Sequence, residues 1–401
     1  MPEGQGGVRH ECRSDSRLPG AGPQMSAEPA RVVWFDELEG DVRAVAGGKC
    51  ASLVEMRRAG FPVPSGFAIT VAAFEQFGNE TGVSAKVDRI VASADPDSTA
   101  SLRAASEEIA ALVEEVRVPD DLISLIADGY RRIAEEAGEE GPAVAVRSSA
   151  VGEDSAEASF AGQQETYLWV RGASELEHAV RRCWASYFTP RAWSYRARLR
   201  GRASASEPVG GDLAGGQSPM GVGMSVGVQQ MVDADVAGVM FTRSPTTNDP
   251  SIVAIEAGWG LGVSVVGGEV TPDEIWVNKV TRQIVRREPG YKQLRYVPDR
   301  EAGGTRCEDV PEDEATRLCL DDETTKALAE YGVQLERHYG AAQDIEWALT
   351  KGGDGTPQIV LLQSRPITVS RAKEPITKPQ PSGTDYVINH LISSSKKKIE
   401  L

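Results

Sequence analysis

Four polar residues in the last quarter of the chain, Asp344, Glu346, Gln363 and Arg365, have the types and spacing to handle a metal-bound phosphate. DIEWALT (344–350) and QIVLLQS (358–364) read as a hairpin of adjacent strands around the GGDG turn at 352–355. Residues two apart on a strand face the same side. Asp344 and Glu346 therefore project together, and Gln363 and Arg365 project together from the neighbouring strand. Two carboxylates and an amide oxygen are hard-oxygen ligands suited to Mg²⁺. An arginine beside them can neutralise the charge of a transferring phosphate. Ile345, Trp347, Leu362 and Ser364 are expected on the opposite face. A solvent-facing charged strip on a hairpin would show the same pattern.

Two further segments suit an anion. Gly47-Gly48-Lys49 precedes a helical pattern, and a helix N-terminus offers backbone N–H groups and a favourable dipole. It is not a P-loop, because the required Gly and Ser/Thr positions hold Arg43 and Cys50. Spacing alone favours a surface lysine beside a turn over a phosphate contact for Lys49. In AVAVRSSAVGEDSAEASFAGQ (143–163), Arg147 ends an apolar strand and enters a loop of small residues. Such a loop lets backbone amides approach phosphate oxygens, and Ser148, Ser149 and Ser159 supply hydroxyls. Arg147 supplies a forked donor. A strand-terminal Arg followed by a solvated loop fits equally well. EAGWGLG (256–262) misses the GxGxxG pattern, so a Rossmann site is unsupported. His10, His178, His338 and His390 lie in polar helices or tails, away from glycine or hydroxyl loops. GxSxG and HExxH are absent.

These residues need a scaffold of strands and helices. Helices are expected over 47–60, 71–78, 100–116, 119–137, 173–188 and 321–340. Strands are expected at 143–147, 164–170, 224–232, 237–242, 252–257, 274–278 and 283–286. The mixture indicates an α/β or α+β fold. The 401 residues suffice for two or three domains. Residues 1–30 read as a disordered extension, with Met25 an alternative start. Residues 201–223 are rich in Gly, Ser and Pro and read as a flexible insertion, and 371–401 as a polar tail. The net charge of −16 argues against nucleic acid or an anionic membrane as partner, and requires any nucleotide site to be locally basic. Five cysteines without CxxC spacing suggest reduced thiols in a cytoplasmic protein. No apolar run is long enough for a transmembrane helix.

Taken together and in this order, five stretches resemble one family. They are GGKCASLVEMRRAGFPVPSGFAIT, AVRSSAVGEDSAEASFAGQQETYL, VGVQQMVDADVAGVMFTRSP, IEAGWGLG with VVGGEVTPDE, and AAQDIEWA with LLQSRPIT. The chain resembles the N-terminal nucleotide-binding domain of phosphoenolpyruvate synthase and pyruvate phosphate dikinase, a domain shared by rifampicin phosphotransferase and phenylphosphate synthase. The resemblance runs from about Val33 to Thr368. It implies an α+β, ATP-grasp fold with two lobes, 31–200 and 224–370, clasping the nucleotide. It implies ATP and Mg²⁺ as cofactors, with Lys49, Arg147 and Arg365 acting on phosphates. Ser148, Ser149 and Gln163 would join them around the nucleotide. Gln229 and Met231 would lie at the adenine hinge, Thr242 and Glu256 in the nucleotide pocket, and Asp344, Glu346 and Gln363 around the metal and phosphates.

Relatives in that family continue into a mobile domain whose histidine, in a TSHxA-like segment, is phosphorylated. No such segment occurs in these 401 residues. The resemblance therefore implies an ATP-binding subunit that passes a phosphoryl or pyrophosphoryl group to a histidine on a separate domain or chain. Two alternatives are a non-catalytic ATP-binding regulator and an ATP-grasp ligase. The final acceptor is open.

Overall fold

The computed structural model describes residues 29–95, 98–150, 165–189, 223–352 and 355–367. Residues 1–28 of the expected N-terminal extension, the Gly/Ser/Pro-rich insertion up to residue 222 and the polar tail lie outside these residues. The chain is α+β, with helices packed on two antiparallel sheets. Among the described residues no helix is long and apolar enough to cross a membrane.

The first sheet has five strands in the order β1-β2-β5-β3-β4. These are β1 (Val32–Trp34), β2 (Gly66–Ile69), β3 (Val144–Ala150), β4 (Thr166–Val170) and β5 (Met224–Gln230). The helices around it are α1 (Val42–Arg58), α2 (Val71–Glu80), α3 (Val83–Ser93), α4 (Thr99–Glu115), α5 (Asp120–Ala137) and α6 (Ala173–Ser186). One face carries Val144, Val146, Val226 and Val228 into a core with Phe74, Phe77 and Trp184. Phe77 stacks on Trp184 with ring centroids 4.7 Å apart. Burial of such aromatic area dominates the stability of a core.

The second sheet has six strands, ordered β13-β12-β6-β7-β8-β9. They are β6 (Val236–Phe241), β7 (Ile252–Trp259), β8 (Asp273–Asn278), β9 (Ile284–Glu288), β12 (Gln343–Lys351) and β13 (Pro357–Pro366). A separate ribbon pairs β10 (Leu294–Pro298) with β11 (Thr305–Asp309). Two short helices, α7 (Val263–Val266) and α8 (Glu312–Ala315), accompany the longer α9 (Asp322–Tyr339). Asp321 caps α9 by accepting from Thr324 N–H at 2.8 Å, and Gly340 ends it in the left-handed conformation at φ 67°. Met240, Ile255, Ile345, Trp347 and Leu361 form a second core with residues of α1 and α9.

A buried ion pair supports the far side of this sheet. Lys292 and Asp273 are both fully buried. The Asp273 carboxylate also accepts from Gly290 N–H at 2.9 Å and from Cys319 N–H at 2.7 Å, so the charge is paired and hydrogen-bonded.

Four differences from the expected elements bear on the site. A second lobe beginning at residue 224 would include β5, yet β5 pairs with β2 and β3 in the first sheet. β3 continues through Ser148, Ser149 and Ala150, which the small-residue pattern placed in a loop. Helix α3 and the β10–β11 ribbon were not expected. The β12–β13 hairpin forms, but it contains a register shift between Glu346 and Trp347.

Candidate functional site

The site begins at the break in α1. Asp41 caps its first turn, accepting from Ala44 N–H at 3.1 Å. Gly47 then leaves helical geometry at φ 72° and ψ 176°, and the helix restarts behind it. A side chain at Gly47 would stand 2.3 Å from the carbonyl oxygen of Ser149, so the turn requires glycine for conformation and for space. Ser149 locks this approach. Its hydroxyl donates to Ala46 O at 2.8 Å and accepts from Cys50 N–H at 3.2 Å. A residue 99 positions away in sequence thus caps the restarted helix. Lys49 lies in its first turn, half-buried.

Ser148 points the other way. Alternation along β3 places it on the face opposite Arg147 and Ser149, where its hydroxyl donates to Glu165 O at 3.2 Å. The sequence reading offered both serine hydroxyls to phosphate; in the structure both hydroxyls bind backbone carbonyls. Ser159 and Gln163 lie outside the described residues. Burial pushes the Cys50 thiol pKa up, while hydrogen bonds with Ser149 and Ser225 and the charges of Arg147 and Lys49 pull it back.

Arg147 joins the two sheets. One guanidinium nitrogen donates to Glu346 Oε2 at 3.0 Å and to Gln363 Oε1 at 2.7 Å, and the other to Leu362 O at 2.9 Å. Its Nε is buried without an acceptor. On the hairpin, Glu346 pairs directly with Gln363, and Asp344 with Arg365. Arg365 donates to Asp344 Oδ2 through Nε at 2.9 Å and through a terminal nitrogen at 2.8 Å. Strand spacing placed Asp344 with Glu346 and Gln363 with Arg365, and the register pairs them across the strands. Beyond Gln363 the bulge changes the phase of β13. Leu361, opposite Trp347, enters the core. Leu362 packs instead with Ala348 and Val360 in a separate apolar cluster. The expectation that Leu362 faces away with Ile345 and Trp347 is therefore corrected: two residues of β13 span one of β12. The bulge also presents the carbonyl that Arg147 takes. Helix α1 is tied to the same strand, since the Ser52 hydroxyl donates to Ser364 O at 2.6 Å.

Lateral pairing extends one row across the whole sheet: Gln363, Glu346, Val239, Glu256, Glu274 and Glu288. Burial, then Glu274 and Asp344, raises the Glu256 pKa. One step toward the start of β6, the same face becomes apolar, with Ala237, Ala348, Leu261, Met231, Val360 and Leu362 in one cluster. Met231 donates its backbone N–H to Ala143 O at 2.9 Å. Gln229 shares the Arg147 face of the first sheet, because Ala145 pairs with Gln229 and Arg147 with Gly227. The Gln229 amide nitrogen is buried with no acceptor. Thr242 stands apart. It is fully buried, its methyl side packs near Gly332 of α9, and its hydroxyl accepts from Gln343 N–H at 2.8 Å. Its side chain supports the reverse face of the sheet and does not line the face bearing Glu256.

Could these donors hold Mg²⁺? Among the described residues no group of three His, Cys, Asp or Glu side chains converges as a metal cage. Asp344, Glu346 and the Gln363 amide oxygen instead form a partial oxygen set, with arginines as counter-charges. That suits Mg²⁺, which takes one or two carboxylates, keeps waters and completes its shell with substrate phosphates.

Residues 43–384 match the family described as "Pyruvate phosphate dikinase, AMP/ATP-binding domain". The chain is 41% identical over 337 residues to the "Probable phosphoenolpyruvate synthase" of Methanocaldococcus jannaschii, covering 84% of this chain and 26% of that protein. Identity to the protein of the same description in Methanothermobacter thermautotrophicus is 41%, covering 84% of this chain and 46% of that one. Identity to the phosphoenolpyruvate synthase of Pyrococcus furiosus is 37% over 374 residues, covering 84% and 44%. The chain thus spans from about a quarter to under half the length of these relatives.

Proposed function

The chain belongs to the pyruvate phosphate dikinase AMP/ATP-binding domain family, and we propose that it binds ATP with Mg²⁺ between its two sheets, in an ATP-grasp arrangement. The observation that carries this reading is Arg147, which leaves the first sheet and meets Glu346, Gln363 and the Leu362 carbonyl of the second. The apolar patch around Met231 and Ala237 suits the base, with the orphaned Gln229 amide beside it seeking an acceptor. The phosphates then extend toward Arg147, Lys49, Arg365 and the carboxylates.

In this reading Arg147 and Arg365 exchange their carboxylate partners for phosphate oxygens. Asp344, Glu346 and Gln363 turn to the metal, which neutralises phosphate charge when bound. The residues offer no covalent nucleophile. They position and stabilise charge, as phosphoryl transfer requires. The group transferred, phosphoryl or pyrophosphoryl, passes to a histidine on a partner domain or chain. The family and the partial coverage of the relatives support that step.

The test mixes the purified chain, Mg²⁺ and labelled ATP with candidate partners that carry a TSHxA-like segment. The expected result is release of AMP or ADP with label on a partner histidine. Glu346→Ala should abolish turnover without unfolding the protein. Turnover unchanged in Glu346→Ala overturns the metal assignment, and absence of Mg·ATP binding by the wild type overturns the nucleotide site.

A further inference from the structure

Lys49, Arg147 and the pair Gln363 and Arg365 stand on three different elements: α1, β3 and β13. One polar side chain joins each pair of these elements. Arg147 ties β3 to β13 at the Gln363 amide oxygen and the Leu362 carbonyl. Ser149 ties β3 to α1 at Ala46 O and Cys50 N–H. Ser52 closes the triangle. Its hydroxyl donates at 2.6 Å to the carbonyl of Ser364, the residue between Gln363 and Arg365. Lys49 adjoins both anchors of α1. Cys50 follows it directly, and Ser52, three residues on, is its neighbour on the helix surface.

The acceptor is fixed in turn. Ser364 is buried, and its hydroxyl donates to Gln343 Oε1 on β12 at 2.9 Å. The Gln343 side-chain nitrogen donates to Ala341 O at 2.9 Å, and its backbone N–H to the Thr242 hydroxyl at 2.8 Å. A buried chain of hydrogen bonds therefore runs from Ser52 through Ser364 and Gln343 to Thr242. Around it, Ala51, Leu53, Val54 and Met56 of α1 are packed into the apolar core. Apolar burial is non-directional and leaves a helix some freedom to turn and slide. A satisfied buried polar network removes that freedom.

We infer that Ser52 is a positioning residue, which fixes Lys49 relative to Gln363 and Arg365 and acts on the nucleotide through Lys49. The inference rests on the nucleotide reading above. It gives Thr242 and Gln343 a task as well: they hold the strand to which the lysine helix is pinned.

Calorimetric titration with ATP and Mg²⁺ over a double-mutant cycle tests it. Lys49→Ala should weaken ATP about tenfold to a hundredfold, the worth of one hydrogen bond to a charged group. Ser52→Ala should weaken ATP about tenfold in the wild type, but less than about twofold in the Lys49→Ala background. A second pair guards against a packing effect. Ser52→Thr and Ser52→Val have the same shape and differ in the hydroxyl, so Thr should bind ATP at least about fivefold tighter than Val. Ser52→Ala binding ATP like the wild type, or weakening it equally with and without Lys49, overturns the inference and leaves the nucleotide site standing. Equal affinity in Ser52→Thr and Ser52→Val does the same. Lys49→Ala binding ATP like the wild type overturns the phosphate role of Lys49 and the inference with it. Wild-type protein that binds no ATP overturns the site itself.

Discussion

Replacing Ser149 with alanine separates two roles for a single hydroxyl. In the structure that hydroxyl is fully buried and bridges Ala46 O and Cys50 N–H. Its loss removes a helix cap, worth about 1 kcal/mol. It also strands a buried carbonyl and a buried N–H, at ~1–3 kcal/mol. The sum is about 2–4 kcal/mol, a large part of a net stability of ~5–15 kcal/mol. Urea unfolding should therefore show a lower midpoint with the slope unchanged. ATP affinity, measured in parallel by calorimetry, decides the alternative. If Ser149 served a phosphate instead of the glycine turn, affinity would fall while the unfolding midpoint stayed put. That outcome, or a stability loss below about 0.5 kcal/mol against the caps cited above, refutes the reasoning.

Three other outcomes follow from the same geometry. Gly47→Ala should destabilise more than Gly60→Ala by thermal unfolding: both positions have positive φ, but only at Gly47 does a Cβ meet backbone, at 2.3 Å, whereas Gly60 opens to free space. Glu256→Gln should raise the melting temperature at pH 7.5. The folded state holds the Glu256 proton more tightly than the unfolded chain does, so this charge costs stability above the raised pKa and the cost fades toward ordinary glutamate values near about 4.3; a gain that persisted at pH 4 would contradict the assignment. Lys292→Met should cost about 3–5 kcal/mol in denaturant unfolding, the range for a buried charge left without its partner. Adding Asp273→Leu should recover only part of it, because Gly290 and Cys319 N–H then lose their acceptor.

Much of the site was legible because strand alternation is local. Asp344 and Glu346 share a face by parity alone, as do Gln363 and Arg365, and the hairpin register sets the two pairs opposite each other. The helix at 322–339 was legible from its Asp cap and terminal glycine. What escaped was decided by distant partners. Ser148 and Ser149 sit in a stretch that looks like loop until β5 pairs with it, and β5 reveals nothing in its own residues about which sheet it joins. The β10–β11 ribbon is only partly buried along β10 and still more exposed along β11, so it lacks an apolar alternation to announce it. Thr242 was placed in the pocket by resemblance, while its parity with the buried Met240 put it on the other side.

The bulge at Leu362 gives β13 two reading frames. On one side of it, odd-numbered Leu361 belongs to the interior; on the other, odd-numbered Gln363 and Arg365 belong to the site. Lateral strand pairing tolerates many changes of side chain, but here it tolerates no change of count. Paired with every residue kept but no bulge, β13 would regain ideal pleating and leave the core half of the strand in place. It would also turn Gln363 and Arg365 inward and withdraw the carbonyl on which Arg147 rests. In this strand the ability to handle charge is encoded by the length of the chain as much as by its letters.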